Sequence, residues 1–384
     1  MTHALRGRTA IVGIGEAAIP LMPPGSTPID AMALAAMAAL ADAGLTLTEV
    51  DGVFAAGLQV FMPTLSLAEY LGLRPRYSDG TQIGGGAFLT HLNHAQAAIH
   101  AGLCDIALIV YGSTQRSAGN RFASHAEPNP YEQPYRVPGP VAAYALIAGR
   151  HMHEFGTTPE QLAEIAVAAR QWARLTPGAV TQGPLTIADV LAARRIAEPF
   201  GLLDCCLVTD GAGAVVVTAS DRARDLQRDP VYVLGAGEAV SHRGIAQMPD
   251  LTTTAARESG ARAFAAAGLA PADIDVLQLY DAFTINPILF LEDLGFCAKG
   301  EGGAFVAGGA LAPGGRLPVN TNGGGLSYCH PGMYGIFTII ESVRQLRGGL
   351  GARQVANAEL ALAHAPGGYM SSQSTAIFGT AATL

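Results

Sequence analysis

The chain has 384 residues, 49% of them hydrophobic and 14% charged, with a net charge of −8 at neutral pH. That composition gives a large globular core and excludes a disordered chain, while the acidic balance and the lack of a Lys/Arg run leave no electrostatic footprint for nucleic acid. The most apolar stretches, such as DIALIVYGS (105–113), have strand length, and the start MTHALRGRTAIVG lacks a signal-peptide pattern, so the expectation is a cytoplasmic chain with no membrane contact.

In chain order, an apolar strand at IVGIGEA (11–17) is followed by prolines 20, 23 and 24 and an Ala-rich helix ending in AGL (43–45). A second strand closes LADAGLTLTEVDGVFAAG (40–57), a Gly-rich turn falls in IGGGAF (83–88), a buried helix is predicted over 87–101, and DIALIVYGS follows as a strand. Residues 114–225 then break the pattern. RFASHAEPNPYEQPYRVPGP (121–140) has a loop composition, and PVAAYALIAGRHMHEFGTTPEQLAEIAVAARQWARL (140–175) reads as two helices, with Thr158 capping the second and Pro159 in its first turn. An insertion of this kind is expected to form a lid over a ligand cleft, at about 114–180.

After the insertion the first pattern returns. IVGIGEA reappears as YVLGAGEA (232–239), and LADAGLTLTEVDGVFAAG as FAAAGLAPADIDVLQLYDA (264–282). IGGGAF and its helix are answered by NGGGLSYCHPGMYG (322–335), a second buried helix from about 331 to 347, and the strand AELALAHAPGG (358–368). The reading is two similar, fused α/β halves, 1–225 with the lid and 226–384, each built on a parallel-rich sheet covered on both faces.

In such a duplication the turns at 84–86 and 323–325 are expected to face one cleft. Gly85, Gly324 and Gly325 would let a ligand approach the backbone and present free N–H groups to an oxyanion or a polarised carbonyl. The rival Gly-x-Gly-x-x-Ala reading of GIGEAA (13–18) fails because the prolines that follow prevent the helix a pyrophosphate needs. The second turn concentrates polar chemistry: Asn320, Asn322, Tyr328, Cys329 and His330. Tyr280 and Asp281 end a strand, where ligands of parallel sheets meet side chains, and His364 ends another; Asp281 is read as orienting a loop.

No metal is expected. His91 and His94 share a helix face without a third ligand, HMH (151–153) is similar, and the five cysteines lack ligand spacing and read as reduced thiols. Cys205 and Cys206 are taken as small inert residues.

Nearly the whole chain resembles the thiolase superfamily, in its sterol-carrier-protein-X-type branch with the lipid-transfer-protein relatives. The resemblance is carried by LLDCCLVTDGAGAVVVT (202–218), YDAFTINPILFLEDLGFCAKGEGG (280–303) and NTNGGGLSYCHPGMYG (320–335). It implies a duplicated, five-layered αβαβα fold, a homodimer, and carbon–carbon bond chemistry on an acyl-CoA, with coenzyme A as part of the substrate and no tightly bound cofactor. Thiolases of this branch place a nucleophilic cysteine in the first turn, where this chain has Gly85 or a neighbour, and a second in a His-Asp-Cys-Phe motif, which here reads Tyr280-Asp281-Ala282-Phe283. The Gly-His-Pro motif survives as Cys329-His330-Pro331, so His330 matches the residue that polarises the thioester carbonyl.

With both thiols absent, retro-aldol cleavage of a β-hydroxyacyl-CoA is the leading expectation. Tyr280 takes the acid/base role that the resemblance gives to the tyrosine of Tyr-Asp-x-Phe-Thr, Tyr328 is a second tyrosine near the cleft, and His364 is an assisting base. Two alternatives stay open: a thiolase-type acyltransferase using Cys329, and a non-catalytic acyl-CoA or lipid-binding subunit. A Schiff base on the single lysine, Lys299, is disfavoured by its Gly- and Glu-rich surroundings. The resemblance also implies a separate small zinc-ribbon/OB-fold partner.

Overall fold

In the computed structural model, residues 3–17, 19–119, 130–135 and 139–384 are described. Much of the loop expected over 121–140 lies outside them. The first run of elements is β1 (Thr9–Ala17), α1 (Pro28–Ala43), β2 (Gly52–Ala55), α2 (Pro63–Leu71), β3 (Tyr77–Asp79), α3 (Ala87–His100) and β4 (Ile106–Ser113). The insertion supplies α4 (Val141–Phe155), α5 (Pro159–Arg174), α6 (Ile187–Leu191) and a small hairpin of β5 (Arg195–Ala197) and β6 (Phe200–Gly201). β7 (Gly211–Ala219) and α7 (Ser220–Ala223) precede the second run: β8 (Val231–Val240), α8 (Ala256–Ala267), β9 (Val276–Leu279), α9 (Ile285–Asp293), α10 (Gly302–Val306), α11 (Gly335–Arg347), β10 (Leu360–Gly367) and β11 (Ser372–Gly379).

The repeat in sequence is a repeat in strand pairing. β1 runs antiparallel to β7 and β7 to β4, whereas β4, β2 and β3 are parallel. β8, β11 and β10 reproduce the antiparallel part and β10–β9 the parallel part, with Val319 beside Leu277 in the place of β3. The sheets are therefore mixed rather than parallel-rich, because β7 and β11 return antiparallel through their centres. Two residue pairs, Ala10 with Tyr232 and Ile11 with Val231, join them into one order, β3-β2-β4-β7-β1-β8-β11-β10-β9.

Helices α3 and α11 touch strands of both sheets and lie between them, α1 covers β1, β7 and β4, and α8 covers β8 and β11, which gives the five layers. The repeated Gly-x-Gly strands explain themselves here: a Cβ on Gly13 or Gly15 would sit 2.1 or 2.3 Å from carbonyls of α1, and one on Gly235 or Gly237 2.2 Å from carbonyls of α8. They are packing glycines, and no helix follows β1 until Pro28, where Thr27 and Asp30 form a capping box. Thr158 and Gln161 cap α5 in the same way, with Pro159 in its first turn. The second central helix starts at Gly335 rather than near 331, because 324–328 form a single π turn and an irregular loop follows.

Candidate active site

The site begins where β9 ends. Asn320, in a left-handed conformation at φ 53°, donates its N–H to Leu277 O (2.9 Å) and accepts Leu279 N–H on Oδ1 (2.7 Å), fixing the strand end. Tyr280 N–H donates to His364 O at 3.0 Å, which sends the tyrosine ring into the central layer at the start of α3. There it lies against Gly85: a Cβ on Gly85 would be 2.2 Å from Tyr280 Cε1 and 2.8 Å from Pro366 O. What approaches the first Gly-rich turn so closely is thus the chain's own Tyr280.

The Tyr280 hydroxyl is 2.8 Å from His330 Nε2 and 3.2 Å from Gly332 O. Two proton arrangements satisfy this trio: the phenol donates to a neutral imidazole, or donates to Gly332 O and accepts from Nε2–H. Burial pushes the phenol well above its ordinary value and lowers His330 to about 4, so both are neutral near pH 7. His330 is anchored through its backbone to Thr209, its N–H on Oγ1 at 3.1 Å and its carbonyl accepting Thr209 N–H at 3.2 Å. Tyr334 packs edge-on to Tyr280 at 5.7 Å between ring centres and donates its hydroxyl to Asn322 Oδ1 at 3.1 Å.

The second Gly-rich turn is also adjacent, yet its amides are taken. Gly325 N–H donates to Asp281 Oδ1 at 2.6 Å, Leu326 N–H to Oδ2 at 3.4 Å, and Gly324 N–H to Asn322 Oδ1 at 2.9 Å. A Cβ on Gly324 would fall 2.1 Å from Asp281 Oδ2. The backbone of Gly325 and Leu326 therefore wraps an internal carboxylate and that of Gly324 is held by Asn322, whose buried Nδ2 is left without a hydrogen-bond partner among the described residues. Burial raises Asp281 to about 7, and its side chain orients the loop as expected.

Three expected site residues turn elsewhere. Tyr328 donates to Glu16 Oε2 at 2.7 Å, which also accepts from Arg344 at 2.6 Å, so this hydroxyl serves an ion pair away from Tyr280. Cys329 is 0% exposed and burial drives its thiol well above the ordinary value, the opposite of what a thiolate needs. His364 keeps both ring nitrogens within the sheet, Nδ1 at Thr375 Oγ1 (2.8 Å) and Nε2 at Gln373 Oε1 (2.9 Å), and burial lowers it to about 3; it contributes its carbonyl and no assisting base.

The remaining candidates have structural partners. Lys299 lies between Glu292 (3.0 Å) and Asp293 (2.6 Å) and donates to Thr252 O (2.7 Å). His91 bonds Thr81 O at 3.0 Å, and His151 is held by Thr157 and Glu292. His94 is more exposed than a satisfied core histidine, paired with Asp79 at 2.5 Å and Glu238 at 3.5 Å, which raise it to about 9. Cys205 and Cys206 are half-buried, and the backbone of this pair meets Ala282 and Phe283 beside the site. A hollow of about 800 Å³ near His94 and Glu238 shares no lining residue with Tyr280 or His330. Tyr111, whose hydroxyl meets the loop after His330, and Glu16 were not among the expected site residues; a lone tyrosine inside the apolar strand DIALIVYGS was the available signal.

Comparison with known proteins identifies the family. The family described as thiolase C-terminal domain-like matches residues 237–380. The chain is 37% identical to the 17-hydroxy-3-oxo-4-pregnene-20-carboxyl-CoA lyase of Mycobacterium tuberculosis, over 90% of this chain and 92% of that protein. It is 35% identical to the acetyl-CoA acetyltransferase of Methanothermobacter thermautotrophicus, over 88% and 91%. Among solved structures, the Ltp2-ChsH2(DUF35) aldolase superposes with a TM-score of 0.89 at 32% identity, covering 98% of both chains. The chain belongs to the thiolase superfamily, in the branch of sterol-carrier-protein-type thiolases and side-chain aldolases. It is an enzyme of that family, whose members act on acyl-CoA thioesters at a carbon–carbon bond.

Proposed function

We propose that the protein cleaves a β-hydroxyacyl-CoA by retro-aldol reaction at Tyr280 and His330. The observation that carries this reading is the 2.8 Å contact between the phenol and a neutral imidazole, at a turn where Gly85 leaves no nucleophile. In the reaction the β-hydroxyl gives its proton to the Tyr280 oxygen while the phenolic proton passes to His330 Nε2. The Cα–Cβ bond breaks, its electron pair becomes the thioester enolate, and the β-carbon leaves as a ketone or aldehyde. Return of the proton from His330 through Tyr280 to the enolate carbon releases the shortened acyl-CoA and restores the neutral pair, so atoms and charge balance without free CoA. Routing the proton to histidine avoids a buried phenolate; burial disfavours the imidazolium as well, and the negative charge developing on the enolate beside it is what offsets that cost.

Thiolase-type acyl transfer is the second reading, favoured by the acetyltransferase relative. It needs a thiolate, and burial raises Cys329, Cys206 and Cys205 alike. A binding subunit without chemistry would also pair a buried hydroxyl, and the absence of turnover is what would distinguish it. Release of a carbonyl product from β-hydroxyacyl-CoA in buffer lacking free CoA tests the proposal; a strict requirement for free CoA, with β-ketoacyl-CoA as the substrate, refutes it.

The wider setting is part of the same proposal: a cytoplasmic homodimer, read as units 1–225 and 226–384 with a lid near 114–180, and no resident cofactor. Among the described residues no helix is long and apolar enough to cross a membrane. A small zinc-ribbon/OB-fold partner is supported by the structural relative, in which Ltp2 is paired with ChsH2(DUF35).

A further inference from the structure

The loop 330–333 carries both groups that touch the Tyr280 oxygen, His330 Nε2 and Gly332 O. Its first residue is held by Thr209. Its far end is held from the other half of the chain. Tyr111, in β4, donates its hydroxyl to Pro331 O at 2.5 Å and accepts Met333 N–H at 3.1 Å, so one oxygen brackets Gly332 from both sides. The ring is 3% exposed and packs on Phe88 of α3 at 5.0 Å between centres, which leaves the hydroxyl little freedom to follow a shifting loop. Gly332 itself has φ 98°, a region glycine enters and leaves freely, so the two flanking bonds to Tyr111 are what fix it.

We infer that Tyr111 is a positioning residue that sets the contact of His330 and Gly332 with Tyr280. The inference rests on the retro-aldol reading for its kinetic consequence but not for its geometry. Proton transfer between phenol and imidazole depends steeply on their separation, so freeing the loop acts on the chemical step and leaves substrate binding alone.

The test is Tyr111→Phe, which keeps the contact with Phe88, beside Phe88→Leu, which disturbs the packing and keeps the hydroxyl. For Tyr111→Phe the expected result is kcat lower by about tenfold or more with KM unchanged, and a His330 imidazole titration by NMR displaced from its wild-type position. Phe88→Leu, which loosens the ring and keeps the hydroxyl, should shift both in the same direction by a clearly smaller amount. Equal kinetic losses in both variants, or an unmoved His330 titration in Tyr111→Phe, overturn the inference. If wild-type protein cleaves no β-hydroxyacyl-CoA, the retro-aldol reading fails while the titration still decides the role of Tyr111. Should Tyr111→Phe not fold, hydrogen exchange of the wild-type Met333 amide decides: slow exchange is expected, and exchange as fast as an exposed loop contradicts it.

Discussion

Tyr280 and Gly85 occupy one another's space: the phenol ring fills the volume that any side chain at 85 would need, with Cε1 only 2.2 Å from the position of a Cβ. A nucleophilic side chain at the first turn and the tyrosine at the end of β9 exclude one another sterically. Gly85→Cys should therefore yield no thiolase activity, and should cost about 1–3 kcal/mol of stability through overpacking. Thermal unfolding and a β-ketoacyl-CoA cleavage assay check this; a stable Gly85→Cys protein with CoA-dependent cleavage would contradict it.

Tyr280→Phe removes the hydroxyl and keeps the ring against Gly85. Cleavage should fall by about 10²–10⁴-fold, the range for a lost general acid/base, with the melting temperature little changed. Steady-state kinetics beside a melting curve separate this from a packing role, which would leave turnover intact.

Cys329→Ala should keep turnover within about threefold, because a buried thiol held well above its ordinary value takes no part in the chemistry. Iodoacetamide labelling followed by peptide mapping should modify the half-buried Cys205 or Cys206 before Cys329. First labelling at Cys329 would restore the acyltransferase reading.

Stability should fall on both sides of neutrality. His91, His330 and His364 titrate at about 4, 4 and 3 when folded, below the ordinary 6.5, so the unfolded chain takes up protons first and stability is lost as pH drops from about 7 towards 4. The signs reverse for His94, raised to about 9, and Asp281, raised to about 7: both hold a proton more firmly when folded, so the His94 contribution disappears as pH rises from about 6.5 to 9 and makes the alkaline limb, while that of Asp281 disappears between about 4 and 7 and partly offsets the acid limb. Melting temperatures from pH 4 to 10 should trace a dome. His364→Gln should flatten the acid limb, and an unchanged acid slope in that variant would refute the assignment.

Asp281→Ala should destabilise the protein by about 1–3 kcal/mol, since the N–H groups of Gly325 and Leu326 lose a buried acceptor. Chemical denaturation measures this directly.

Much of the fold was legible because duplication wrote it twice: the strands at 11–17 and 232–239, the helices ending at Gly44 and Gly268, and the Gly-rich turns share one order. Antiparallel β7 and β11 were not legible, since a strand buried on both faces has the same apolar run in either direction. Tyr280 and His330 were visible as motif positions, but the direction of a side chain was not. Tyr328 and Cys329 sit beside His330 in sequence and yet serve the Glu16–Arg344 ion pair and the core, because the extended backbone at Cys329 turns successive side chains apart. The amides of Gly325 and Leu326 looked free for a ligand because their acceptor, Asp281, is 44 and 45 residues away in sequence, while that of Gly324 turns to Asn322.

The most direct test of the central claim, cleavage without a covalent thioester intermediate, is intact-protein mass spectrometry of a sample quenched during turnover of a β-hydroxyacyl-CoA. The partner class proposed above is tested both present and absent. The account predicts unmodified protein together with a ketone or aldehyde and the shortened acyl-CoA. A protein mass raised by an acyl group, mapped to any cysteine, would contradict it.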